Sequence, residues 1–135
     1  MKTINYITFF VLLILLASCA TTVKFPVSTL APAADGSVTI TKDQNNNYVI
    51  NMKVKYLASP DRLVPARKCY VVWLLTNSGT NINLGMLIGD KNNNASFKSV
   101  NSSKPIQIFV TAEDAGDLSF PGNQELFRTE TLKLK

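Results

Sequence analysis

Histidine is absent from this 135-residue chain. Its absence excludes imidazole acid–base catalysis and His-ligated metal centres. Cysteine occurs twice, at Cys19 and Cys69, and tryptophan once, at Trp73. Lysines and arginines are scattered, for example at Lys24, Lys53, Arg67, Lys91 and Lys98. No dense basic block interleaves with aromatic residues, so nucleic-acid binding is not expected. No apolar run reaches the roughly 20 residues of a membrane-crossing helix. No segment shows the 3.6-residue period of an amphipathic helix.

What is present begins at the N-terminus. Behind Met1 and Lys2, residues 7–17 read ITFFVLLILLA, apolar except for Thr8. That length suits the apolar core of a secretory signal peptide, about 7–15 residues. Leu16-Ala17-Ser18-Cys19 follows and resembles the lipobox of bacterial lipoproteins, an aliphatic residue, two small residues and a cysteine. The resemblance implies that residues 1–18 are a signal peptide removed before Cys19. It also implies that the Cys19 sulfur carries a diacylglycerol, with the new N-terminus often acylated too. A thiolate is the nucleophile such chemistry requires. Two or more acyl chains anchor stably where one does not. Ala20 rather than Asp follows Cys19. By the lipoprotein sorting rule of bacteria with two membranes, this implies the outer membrane, facing the periplasm.

Without residues 1–18 the chain loses Lys2, and its net charge falls from +5 to about +4. Some 100 folded residues suffice for one domain with one core. With Cys69 as the other thiol, an internal disulfide that spares Cys19 is impossible. Its apolar setting, CYVVWLL, marks Cys69 as a small residue of a buried strand. Residues 19–36 carry Pro26, Pro32 and Gly36 without periodicity and are expected to be a lipidated tether. Residues 37–135 are expected to form the folded domain.

Within that domain, alternation dominates. Val38 and Ile40, then Tyr48, Ile50, Met52, Val54 and Tyr56, share one face, which predicts a hairpin over 38–42 and 48–57. Residues 69–75 are apolar on both faces, as in a central strand. Ile82, Leu84, Met86 and Ile88 alternate with polar residues or glycine, as do Ile106, Ile108 and Val110. Phe97 marks a short strand near 95–100. The segments DRLVPARK, TNSGTN, DKNNN and EDAGDLSFPGNQ break the strands. About seven short strands spaced in this way predict an all-β, immunoglobulin-like antiparallel β-sandwich. Trp73, in the most apolar strand, is expected to fill the space between the sheets.

Tyr70, Trp73 and Leu74, then Leu84-Gly85, Thr111, Glu113, Gly116 and Pro121 resemble the extracytoplasmic C-terminal domain of anti-sigma-K factors. The likeness spans about residues 36–134. Asp114 stands where that family usually has proline, and Gly116-Asp117 replaces paired glycines. The family's cytoplasmic sigma-binding domain and membrane helix have no counterpart here, so direct sigma-factor binding is not implied. The resemblance implies the sandwich and a sensing or partner-binding role in the envelope.

Candidate chemistry is sparse. Glu113, Asp114 and Asp117 share a loop, yet a hydrolytic carboxylate pair must face a cleft, so catalysis is not expected. Asp43-x-Asn45-x-Asn47 and Asp90-x-Asn92-x-Asn94 match the start of an oxygen-rich calcium loop. Both lack its later glycine and glutamate, with Tyr48 and Ala95, then Val54 and Asn101, in their places, and the same residues suit tight turns. Calcium or a glycan is the alternative ligand; no other cofactor is expected. Partner binding is the leading expectation, through Glu113, Asp114, Asp117 and Phe120, and also through the basic segment DRLVPARK at 61–68. The partner is expected to be an envelope protein, and the membrane contact to run through the lipid on Cys19.

Overall fold

The computed structural model describes residues 19–135; the expected signal peptide, residues 1–18, lies outside the described residues. Eight strands in two antiparallel sheets are found among the described residues. They are β1 (Thr21–Lys24), β2 (Asp35–Lys42), β3 (Tyr48–Lys55), β4 (Cys69–Thr76), β5 (Asn81–Leu87), β6 (Ala95–Asn101), β7 (Pro105–Glu113) and β8 (Glu125–Arg128). The first sheet has the order β1-β2-β3-β6 and the second β5-β4-β7-β8. The path from β2 to β8 is immunoglobulin-like: a hairpin in one sheet, a hairpin in the other, then β6 back beside β3 and β7 beside β4. One 3-10 turn, Pro60–Arg62, lies between β3 and β4. No helix among the described residues is long and apolar enough to cross a membrane.

The period-2 pattern builds the core directly. Val38 pairs with Met52 and Ile40 with Ile50, so their side chains enter the interior together. Tyr70, Val72 and Leu74 of β4 and Ile108, Val110 and Ala112 of β7 meet them from the second sheet. Among the described residues, those buried in the apolar clusters run from Phe25 to Leu132.

Tyr56, expected on the apolar face of a strand over 48–57, follows the end of β3 in the left-handed conformation, φ 56°, and is exposed. Three further sequence expectations change. First, residues 19–36 are not a free tether. Thr21–Lys24 pairs with β2, and Phe25, Ser28, Ala31 and Ala34 are buried. Phe25 stacks on Phe127 with ring centroids 4.9 Å apart, closing one side of the sandwich. Gly36 permits that closure, because a Cβ there would lie 3.0 Å from Phe25 and 3.2 Å from Phe127. Prolines hide the pattern of this stretch, but its apolar residues still reach the core.

Second, Trp73 is fully buried on the outer face of the second sheet, with Val71 and Phe109, rather than between the sheets. Strand parity requires it: with Tyr70, Val72 and Leu74 inward, Trp73 must point outward. An all-apolar strand carries no contrast from which to read that parity. Third, Ile82 and Leu84 pack against the core while Met86 and Ile88 are exposed. The register slips between Val72 and Trp73, which pair with Gly85 and Asn83. Leu84 is the extra residue of a β-bulge, and Gly85 holds φ +128° there. The alternation reverses after it, and Leu87 is buried in place of Met86.

Candidate functional site

Register places the turns at two ends. Tyr48 lies opposite Asn101, and Lys42 opposite Tyr48, so the 43–47 turn, the 101–105 turn and Cys19 share one end. Val54 pairs with Ala95 at the other end, which carries segments 56–68, 88–94 and 114–124. The eight residues of β3 put roughly 26 Å between the two ends.

The far end holds most of the exposed large apolar side chains: Tyr56, Val64, Met86, Ile88 and Phe120. A cavity of about 340 Å³ opens beside Met86 and Ile88, lined also by Leu57, Cys69, Tyr70 and Asn93 among others. Tyr70 Oη donates to the Ala58 carbonyl at 2.8 Å. Burial, helped by the negative charge of Asp61, pushes its pKa up to about 12. Burial also raises the Cys69 thiol, reinforced by Glu113 and Asp114. The thiol, half-buried, donates weakly to the Glu113 carbonyl at 3.5 Å. Both groups stay neutral near pH 7, so the cavity wall carries neither thiolate nor phenolate.

The four residues expected to contact a partner divide. Glu113 is buried, and its Oε1 accepts the Thr111 hydroxyl and the Gly122 N–H, both at 2.6 Å. Thr111 in turn accepts the Trp73 indole N–H at 2.8 Å. Glu113 therefore fastens the 114–124 loop across the outer face of the second sheet and does not contact solvent partners. Gly122 must be small: a Cβ there would come 2.7 Å from Glu113 Oε2. Asp114, Asp117 and Phe120 are exposed on that loop. Asp114 pairs with Arg67 at 2.9 Å.

Sequence reasoning missed the residues that hold this loop in shape. Asn83 Nδ2 donates to the carbonyls of Gly116 and Leu118, both at 2.9 Å. Arg67 Nε donates to Gln124, whose amide donates to Pro65. Leu118 covers Val71, Trp73 and Phe109, and the Arg128 guanidinium lies 3.9 Å from the Phe109 ring centroid. The one available signal was the opposite charge of DRLVPARK and the acidic loop, both expected on the candidate surface; the structure pairs them through Arg67 and Asp114.

The two Asp-Asn-Asn segments form matching hairpin turns. Asp43 Oδ1 accepts the N–H groups of Asn45 and Asn47, and Asp90 Oδ1 those of Asn92 and Asn94, at 2.8 and 2.9 Å in each. Asn46 and Asn93 take the left-handed conformation, φ 61° and 59°. The Asn47 backbone N–H holds Asp43 below the usual carboxylate range against the opposing effect of desolvation. Asn47 turns its amide N–H, not its oxygen, toward Asp43 Oδ2. The turns sit at opposite ends of β3 and share no site. Among the described residues, no three His, Cys, Asp or Glu side chains gather as metal ligands.

No family model matches the chain, and no curated protein matches it.

Proposed function

We propose that this is a lipid-anchored, non-catalytic protein of the bacterial cell envelope that binds a protein partner through the end of its sandwich remote from Cys19. One observation carries the reading. Cys19 is exposed at one end, while Tyr56, Val64, Met86, Ile88 and Phe120 are exposed at the other. A lipid on Cys19 would turn that apolar end away from the bilayer, toward other envelope proteins. Loops at one end of such sandwiches are a common recognition surface. The likeness to the anti-sigma-K C-terminal domain supports a binding or sensing role, and Ala20 supports placement at the outer membrane.

Two measurements test it. Cells labelled with radioactive palmitate are expected to mark the wild-type chain and not Cys19→Ser, with the variant leaving the membrane fraction. A photo-crosslinking amino acid at Ile88 or Phe120 is expected to capture one discrete protein in intact cells. At Val100, exposed on the first sheet, it is not. Capture of glycan alone at Ile88 and Phe120 favours a sugar-binding module instead. Equal capture at all three positions removes the case for the remote end.

A further inference from the structure

The end that carries Cys19 has its own chemistry. Cys19 and Ala20 border a cavity of about 400 Å³ together with Lys42, Tyr48, Lys133, Leu134 and Lys135, among others. Two chain segments and a hairpin thus bring three lysines around the anchoring cysteine. Lys42 Nζ lies 5.3 Å from the Tyr48 ring centroid. Lys104 stands in the neighbouring turn between β6 and β7, exposed. Two acids lie on this side: Asp43, whose Oδ1 already accepts two backbone N–H groups, and exposed Glu130, on the segment that leads to Lys133. By contrast Asp35, Asp61, Asp90, Glu113, Asp114 and Asp117 lie toward the remote end. The sandwich is therefore polarised, basic beside Cys19 and acidic-and-basic opposite.

We infer that Lys42, Lys133 and Lys135 form a basic footing that seats the domain on anionic lipid headgroups of the bilayer holding its anchor. The orientation rests on the lipidation of Cys19; the headgroup contact does not. A lipid on Cys19 brings these ammonium groups within a Debye length of the headgroup phosphates, where each lysine is attracted appreciably. Acyl chains alone fix the domain to the membrane but leave it free to tilt. The footing would hold β3 upright and the remote end outward.

The test uses the chain from residue 19 with Cys19→Ser, so that no lipid contributes. It is sedimented with vesicles of phosphatidylcholine, with or without phosphatidylglycerol. Binding is expected to the anionic vesicles and to fall with added salt. Lys42→Gln, Lys133→Gln and Lys135→Gln together are expected to reduce partitioning, by roughly fivefold per lysine. Lys53→Gln, Lys55→Gln and Lys98→Gln, on the outer face of the first sheet, are expected to leave it unchanged. All variants alter exposed side chains, and an unchanged melting midpoint verifies their fold. Equal binding to neutral vesicles, or equal loss in both triple variants, overturns the footing. Failure of palmitate labelling overturns the anchor without touching this result.

Discussion

Trp73 Nε1 donates to Thr111 Oγ1 at 2.8 Å, on the outer face of the second sheet beneath the 114–124 loop. The hydroxyl has one proton, and it goes to Glu113 Oε1 at 2.6 Å. Thr111 is thus the joint between a buried indole and a buried carboxylate. Thr111→Val keeps the shape and removes both bonds, leaving a buried donor and a buried anion each short of a partner. The expected loss is about 2–3 kcal/mol. Thr111→Ser keeps the hydroxyl and is expected to cost about 1 kcal/mol, from the missing methyl group. Urea unfolding followed by fluorescence checks this cleanly, since Trp73 is the sole tryptophan. Equal losses in the two variants would contradict the role given to the hydroxyl.

That joint also marks where the sequence stops being legible. The alternation of Val38 to Val54 reads as a strand pair because one face is polar and the other apolar, and the pair forms as read up to Lys55, with Tyr56 left outside it. The matching Asp-Asn-Asn turns are legible for the same local reason: Asp bonds its own backbone and Asn tolerates positive φ. Trp73 fails because β4 is apolar on both faces, so parity leaves no trace. Thr111, Asn83 and Gln124 fail because Trp73, the Gly116 and Leu118 carbonyls and Arg67 lie tens of residues from them, and nothing local distinguishes a loop clamp from a solvated polar side chain. Phe25 fails because prolines obscure its neighbourhood. In the candidate site, Phe120, Asp114 and Asp117 were legible as an exposed loop, whereas Glu113, of the same charge and one residue from Asp114, lies on the outer face with Thr111 and is buried there beneath the 114–124 loop.

The bulge at Gly85 yields a second prediction, and it bears on the remote end. Gly85 holds φ +128°, and its N–H donates to Asn83 Oδ1 at 2.9 Å. That conformation strains any residue with a Cβ. Gly85→Ala is expected to destabilise by about 1–3 kcal/mol, whereas Gly89→Ala is expected to be neutral or mildly stabilising. Gly89 has open space, its nearest contact for a new Cβ being 3.9 Å away. Because the bulge turns Met86 and Ile88 outward, Gly85→Ala is also expected to weaken crosslinking from position 88. Thermal melts of the two variants, side by side, provide the comparison.

The two Asx turns are expected to respond alike to substitution and to ignore calcium. Asn46→Gly and Asn93→Gly relieve positive φ at no loss of a hydrogen bond and are each expected to stabilise by up to about 1 kcal/mol. Asp90→Ala removes the acceptor of two N–H groups and is expected to lower the melting midpoint. Asp43 adds a pH signature. Its pKa is depressed in the fold, chiefly by the Asn47 N–H. Its contribution is therefore present above the ordinary carboxylate value and lost as pH falls through the lower folded value. Asp43→Asn is expected to flatten that acid-side loss. Since both Asp Oδ1 atoms are committed to backbone, millimolar calcium is expected to leave the melting midpoint unchanged. A calcium-dependent rise abolished by Asp43→Asn or Asp90→Asn would return these turns to the list of ion sites.

Tyr70 governs the alkaline side. Its phenol is inside the cavity wall, bonded to the Ala58 carbonyl, and its pKa rises from the ordinary 10.0 to about 12, through burial first and Asp61 second. The fold thus favours the neutral phenol. The stabilisation it brings is present in full below about pH 10, where folded and unfolded chains both hold the proton. It is lost progressively as pH climbs toward 12, because the unfolded chain releases its proton earlier. Absorbance titration is expected to show one tyrosine ionising late in the native protein and with the others in urea. Tyr70→Phe is expected to cost about 1 kcal/mol at neutral pH, from the unpaired Ala58 carbonyl, and to shrink the difference from wild type as pH passes 10. A wild-type alkaline slope that survives in Tyr70→Phe would show that another group sets it, and that the cavity wall is more open to water than its geometry implies.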